Sequence, residues 1–150
     1  MNDKVVKGAR ELGLDVRVQR LEASTRTVGD AARAVGCEQA EIAKSIVFVA
    51  DGDPVLCIAS GQHRIDHDKL AEALDVAEVR QAGAQEVRAA TGFAIGGVPP
   101  FGHGLPVVFD RALLDHERVW AAAGDPHSLF CVEPGKLLDC TGASVADVGD

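Results

Sequence analysis

Lys44-Ser45-Ile46-Val47-Phe48-Val49-Ala50-Asp51-Gly52-Asp53-Pro54-Val55-Leu56-Cys57-Ile58-Ala59-Ser60 is the stretch that decides the fold class. Two apolar runs rich in β-branched residues flank a cluster of turn formers, Asp51 to Pro54. That pattern predicts a β-hairpin, with strands over 44–50 and 55–60. The longest uninterrupted apolar run, Ile46 to Ala50, is strand-sized and falls far short of the roughly 18 residues of a membrane span.

Upstream, Val5, Val6, Ala9 and Leu12 share one face of a short helix that ends near Gly13. Leu14, Val16 and Val18 alternate with polar residues as a half-buried strand does. Thr27 followed by Asp30 resembles a capping box before Ala31, Ala32 and Val35, and Gly36 stands where a helix-ending glycine belongs. Downstream, Asp66 caps a helix carrying Leu70, Ala71 and Leu74, and a short strand is expected over 76–79. A helix over 84–91 stops at Gly92. Strands are expected over 105–110, 118–123 and 128–133, Pro134 opens a last helix, and Val145 and Val148 suit an edge strand. With no linker, repeat or low-complexity segment, residues 1–150 read as a single α/β domain. Its mixed sheet is largely hairpin-connected, since crossover helices do not regularly separate the strands.

A core of mainly Val, Leu, Ile and Ala is expected, because the chain holds only five Phe, one Trp and no Tyr. Few platforms are left for stacking bases. The net charge of −8 excludes a broad grip on DNA or any other nucleic acid, which rests on Lys and Arg neutralising phosphates. A nucleic acid partner has to be engaged locally. No apolar leader follows the first residues, and Cys37, Cys57, Cys131 and Cys140 lack C-x-x-C spacing. Both features fit a cytoplasmic protein with reduced thiols and no membrane association.

Gly96-Gly97-Val98-Pro99-Pro100-Phe101-Gly102 is neither helix nor ordinary strand. Proline stiffens such a loop and glycine lets a ligand approach its backbone, so its N–H groups suit a carbonyl, carboxylate or phosphate oxygen. A tight turn between strands is the plainer reading. Lys44 opens an apolar strand, where its ammonium either snorkels to solvent or enters a cleft. His63 and His67 have the i, i+4 spacing of a metal pair only if that segment is helical, and Asp66 as a cap breaks that geometry. His127, after Gly124-Asp125-Pro126, and His103 are loop histidines. Without a Gly-x-Ser-x-Gly elbow, Ser60 and Ser128 have no triad, and the glycine loop lacks the ending of a P-loop.

In order along the chain, these pieces resemble the YbaK/prolyl-tRNA synthetase-associated domain family. The marks are Thr25-Arg26-Thr27, Glu41 to Phe48, Ala59 to Asp66, Lys69-Leu70, Thr91 to Gly102, Phe109-Asp110 and Ala123 to His127. The resemblance implies a mixed, mostly antiparallel, partly barrel-like sheet flanked by helices. It implies aminoacyl-tRNA editing, the hydrolysis of the ester joining a wrong amino acid to the terminal adenosine, with no cofactor or metal. By position it makes Lys44 the functional lysine. It also assigns Gly96, Gly97, Val98, Pro99, Pro100 and Gly102, with Ser60, Gly61 and His127, to substrate binding. Relatives often carry Ser where this chain has Pro99, which removes a hydroxyl and that residue's own N–H and leaves the other amides of the loop in place.

On this reading the amides of Gly97 and Val98 hold the acyl carbonyl and Lys44 anchors the terminal ribose or its phosphate. Arg26 and Arg64 add local contacts to tRNA, and Leu21, Ser24 and Val28 border the acyl pocket. The expected partners are a mischarged tRNA and an aminoacyl-tRNA synthetase such as prolyl-tRNA synthetase. No protein general base is evident. A non-catalytic module that docks on tRNA or a synthetase through the same cleft is therefore the alternative, with a metal-dependent hydrolase on His63 and His67 behind it.

Overall fold

The computed structural model describes residues 2–21 and 27–150. Its centre is the hairpin of β2 (Ile42–Ala50) and β3 (Asp53–Ser60), paired from Ala43 opposite Ser60 to Ala50 opposite Asp53. The turn is the two residues Asp51 and Gly52, both at positive φ (46° and 91°), the geometry that matches the right-handed twist of the flanking strands. Pro54 therefore belongs to β3 rather than to the turn. It faces Val49 one step before Val55, and β5 pairs with β3 only from Leu56 onward, so its missing N–H breaks no ladder bond on that side.

Among the described residues the α-helices are α1 (Asn2–Glu11), α2 (Val28–Val35), α3 (His67–Leu74), α4 (Ala84–Thr91) and α5 (Pro134–Thr141). Their ends follow local chemistry. The Thr27 hydroxyl accepts from the Asp30 N–H, and Asp66 accepts from the N–H groups of Asp68 and Lys69. Gly36 and Gly92 close α2 and α4 in the left-handed region.

The remaining strands are β1 (Val18–Arg20), β4 (Val79–Gln81), β5 (Val107–Asp110), β6 (Val119–Ala122), β7 (Ser128–Val132) and β8 (Ser144–Ala146). They make one mixed sheet in the order β1-β7-β6-β2-β3-β5-β8, with β4 also on β2. Four pairings are antiparallel, and β2 with β6, β3 with β5 and β5 with β8 are parallel. The sheet is mixed and mostly antiparallel, as expected, yet only β2–β3 and β6–β7 join neighbours in sequence. β4 begins at Val79, beyond the 76–79 expected, because the Asp51 carboxylate captures the N–H groups of Ala77 and Glu78. Leu14 and Val16 are buried as the alternation predicts, but pairing starts only at Val18.

One edge of β2 is filled by β3. The other is shared, β6 taking Ile42 and Ala43 and β4 taking Phe48 to Ala50. Among the described residues, no strand lies beside 44–47 on that edge. Side chains alternate across the sheet, so Ala43, Ser45 and Val47 take one face, and Ile42, Lys44, Ile46 and Phe48 the other. Ala43 and Val47 join the main core with Val98, Phe101 and Phe130. Ile46 and Phe48 pack with Cys57 and Leu70, and Ile42 packs with Ala31 and Ala32 of α2.

Candidate functional site

A cavity of about 160 Å³ occupies the gap in the sheet beside residues 44–47. Lys44 lines it from one face of β2, while Gly96 and Val98 line it with Ser45 and Val47 from the other. Thr27 and Val28 at the start of α2, Ala82 beside β4 and Trp120 of β6 complete the walls that bear on its chemistry. Among the described residues, Lys44 is the one charged lining residue.

The Lys44 ammonium donates to the His63 carbonyl at 3.1 Å. Half-burial pushes its pKa below the ordinary lysine value of 10.5, partly offset by Cys57, Asp110 and Asp150. Its support is a buried network. Asp110 is 1% exposed. Its carboxylate accepts from the Ser60 N–H at 2.9 Å and the Ala112 N–H at 3.0 Å, and is paired with His63 Nε2. Asp110 thereby holds the His63 ring whose backbone oxygen holds Lys44.

The glycine–proline loop divides. Gly96 sits at φ +87°, and the N–H groups of Gly96 and Val98 have no hydrogen-bond partner among the described residues. The Gly97 amide is committed, donating to Ala94 O at 2.9 Å. A Cβ at Gly97 would come within 2.8 Å of Asp125 Cα, so this glycine serves a close backbone crossing. The Gly97 amide, expected to hold the acyl carbonyl together with that of Val98, is thus already spent inside the loop. Pro99 and Pro100 are buried, and Pro99, Phe101 and Gly102 border a separate depression against α1. His103 locks this end by accepting from the Leu105 N–H at 3.1 Å, and burial lowers its pKa below 6.5.

Ser60 and Gly61 face inward. The Ser60 hydroxyl donates to Ala40 O at 2.8 Å and its side chain is fully buried. A Cβ at Gly61 would overlap Val28 Cγ1 and lie 2.5 Å from Gln39 O. Neither residue lines the cavity. His127 also stands outside it, its N–H donating to Asp125 Oδ1 at 2.8 Å. His67 lies edge-to-face on Phe48, so the two histidines of the i, i+4 pair are occupied separately. Arg64 is exposed, its backbone clasping Asp150. Val28 lines the cavity and Leu21 packs with the α2 cluster, while Ser24, Thr25 and Arg26 lie outside the described residues.

The cysteines form no disulfide, and burial pushes the thiol pKa to about 12 at Cys57 and about 11 at Cys37 and Cys140. Ser45, Ala82 and Trp120 escaped the sequence reading. For Ser45 a signal existed, a hydroxyl alternating with Ala43 and Val47 on the core face of an apolar strand.

No helix among the described residues is long and apolar enough to cross a membrane. Residues 22–140 match the family described as "Aminoacyl-tRNA editing domain". The chain is 35% identical over 125 residues to the protein YwhH of Bacillus subtilis, covering 81% of this chain and 79% of that one. It is 37% identical over 106 residues to a proline–tRNA ligase of Solidesulfovibrio magneticus, covering 69% of this chain but only 18% of the ligase. A crystal structure described as that of a candidate trans-editing enzyme for prolyl tRNA synthetase superposes with a TM-score of 0.92 at 44% identity. That match covers 99% of this chain and 96% of the other.

Proposed function

This chain belongs to the aminoacyl-tRNA editing domain family, and on that premise we propose that it is a trans-acting deacylase. In this reading it hydrolyses the ester of a small amino acid wrongly attached to tRNA-Pro or a related tRNA, in the cytoplasm. The observation that carries the reading is that Lys44, from one face of β2, and Gly96 and Val98, from the other, line one small cavity, the last two with amides that have no partner among the described residues. The ligase likeness covers a fraction of that enzyme, so ligation is no part of the proposal. A synthetase that presents the tRNA fits a chain of net charge −8.

An ester is already activated, so the site needs mainly to orient it, stabilise the developing oxyanion and admit water. The amides of Gly96 and Val98 are the oxyanion donors, and Lys44 holds the ribose or phosphate. Besides Lys44, the polar side chains lining the cavity among the described residues are those of Thr27, Ser45 and Gln81, none of them a base near neutral pH. Water is then activated by the adenosine's own vicinal hydroxyl.

The missing base is also what favours the alternative, a module that binds tRNA or a synthetase without turnover. Purified protein incubated with a panel of mischarged tRNAs decides between them. Repeated release of amino acid, cut about 100-fold in Lys44→Ala, supports the deacylase. Stoichiometric binding without release supports the module.

A further inference from the structure

Helix α1 opens on Asn2, whose side chain reaches the turn that lies against the glycine–proline loop. Asn2 Nδ2 donates to Asp125 Oδ2 at 3.1 Å and to Ser128 Oγ at 3.0 Å. Ser128 Oγ donates in turn to the same Asp125 oxygen at 3.1 Å. The other carboxylate oxygen accepts from the His127 N–H at 2.8 Å, and Arg20 of β1 stands 3.5 Å from Oδ2. Asp125 therefore ties α1, β1 and the start of β7 together. Its backbone is also what Gly97 packs on, since a Cβ there would lie 2.8 Å from Asp125 Cα and 3.0 Å from its nitrogen. The same helix meets both ends of the loop. Lys4 Nζ is 5.5 Å from the centre of the Phe93 ring, and a Cβ on Gly8 would touch the ring of Phe101. Val5 and Ala9 fix α1 in the core. Asn2 Oδ1 is shielded and has no hydrogen-bond partner among the described residues. A stranded buried oxygen is unfavourable, so what this amide supplies is its two donations.

We propose that Asn2 is a positioning residue: through Asp125 it fixes the backbone on which Gly97 rests, and with it the aim of the Gly96 and Val98 amides on either side. The inference rests on the editing reading, in which those two amides receive the developing oxyanion. Gly97 is bonded inside the loop to Ala94 O and pressed against Asp125, so residues 96–98 follow the turn at 124–128. Without Asn2, Asp125 Oδ2 loses a donor on the α1 side and keeps Ser128 and the exposed Arg20 on the other. The turn is then free to shift away from α1 and to carry Gly97 with it. Oxyanion stabilisation depends on donors aimed in advance, and a misplacement of about 1 Å costs up to about 100-fold in rate. Lys44 is held separately, by the His63 carbonyl, so the hold on the ribose end does not pass through Asn2. Loss of Asn2 therefore acts on kcat rather than on KM.

The test measures kcat and KM on tRNA-Pro charged with alanine, serine or cysteine, together with amide hydrogen exchange read by NMR. Asn2→Ala should lower kcat about tenfold and leave KM within about twofold of the parent. In the same variant the Gly97 N–H, bonded to Ala94 O, should exchange at least about tenfold faster. Asn2→Asp sets one carboxylate against another and should lose more of both. Asn2→Asp combined with Asp125→Asn exchanges donor and acceptor, and should recover most of what Asn2→Asp loses; this pair decides the matter if Asn2→Ala does not fold. An unchanged kcat or an unchanged Gly97 exchange rate in Asn2→Ala, whatever the melting temperature does, makes Asn2 a tie of α1 alone and overturns the proposal. An exchanged pair no better than Asn2→Asp overturns it too. A parent that releases no amino acid from any of these tRNAs overturns the editing reading instead, and the Gly97 exchange rate still decides whether Asn2 holds the loop.

Discussion

Ser60–Gly61 and Gly96–Val98 look alike as sequence, each a glycine-bearing loop following or preceding apolar structure, yet the fold uses them in opposite ways. At Ser60 the hydroxyl goes to Ala40 O and the amide to Asp110, and Gly61 is glycine because Gln39 and Val28 press against it. At 96–98 the amides of Gly96 and Val98 have no partner among the described residues and both residues line a cavity, while the glycine between them is needed for a backbone crossing. Glycine is required wherever the backbone is crowded, whether by a ligand or by the protein itself. The two uses are separated by accounting for each donor and acceptor nearby.

The contrast can be broken most forcefully at Asp110. Asp110→Ala would leave the Ser60 and Ala112 amides and the His63 ring without their shared acceptor. A loss of about 3–5 kcal/mol in urea unfolding is expected, since each buried donor stranded costs on the order of 1–3 kcal/mol. A loss below about 1 kcal/mol would mean that the shoulder around Ser60 is not the structural element described.

Lys44→Ala sharpens the opposite side. Deacylation should fall by about 100-fold, equivalent to about 2.7 kcal/mol of barrier. Unfolding stability should stay within about 1 kcal/mol, because among the described residues the lysine's hydrogen-bond partner is a single carbonyl. An equal collapse of both quantities would make Lys44 structural.

Gly61→Ala should cost about 1–3 kcal/mol by overpacking against the Gln39 carbonyl, a backbone atom that cannot swing away. Thermal melting measures it. The amino acid preference of any surviving activity should be unchanged.

The smallest effect is a pH dependence at the far end of the glycine–proline loop. Burial lowers the His103 pKa from 6.5, so the folded state favours the neutral ring that accepts from Leu105. Protonation then favours the unfolded chain. Stability should be fully present above pH 6.5 and decline as pH falls through the depressed folded value. A pH series of melting temperatures, compared with His103→Gln, should show this slope in the parent and a shallower one in the variant.

The hairpin was legible because β-branched runs around Asp51-Gly52 leave the backbone one favourable arrangement. Thr27 and Asp66 marked the starts of α2 and α3 because capping acts within three residues. Lys44 and the 96–98 loop were visible by type and order. What Ser60 does was not, because its amide's acceptor, Asp110, lies 50 residues away. The start of β4 was missed for the same kind of reason, since Asp51 holds Ala77 and Glu78 from across the hairpin. Ser45 went unread because the gap beside it depends on where distant strands end.

The amino-acid sequence by itself determined the helices and strands of this protein, their caps and turns, and the faces they bury. Those choices rest on periodicity and on hydrogen bonds within a few residues. Only the tertiary structure decided that β6 and β4 would share one edge of β2 and leave 44–47 between them without a partner strand among the described residues. That gap, and the cavity in it, come from pairings between distant segments, whose register is set by the packing of both faces at once.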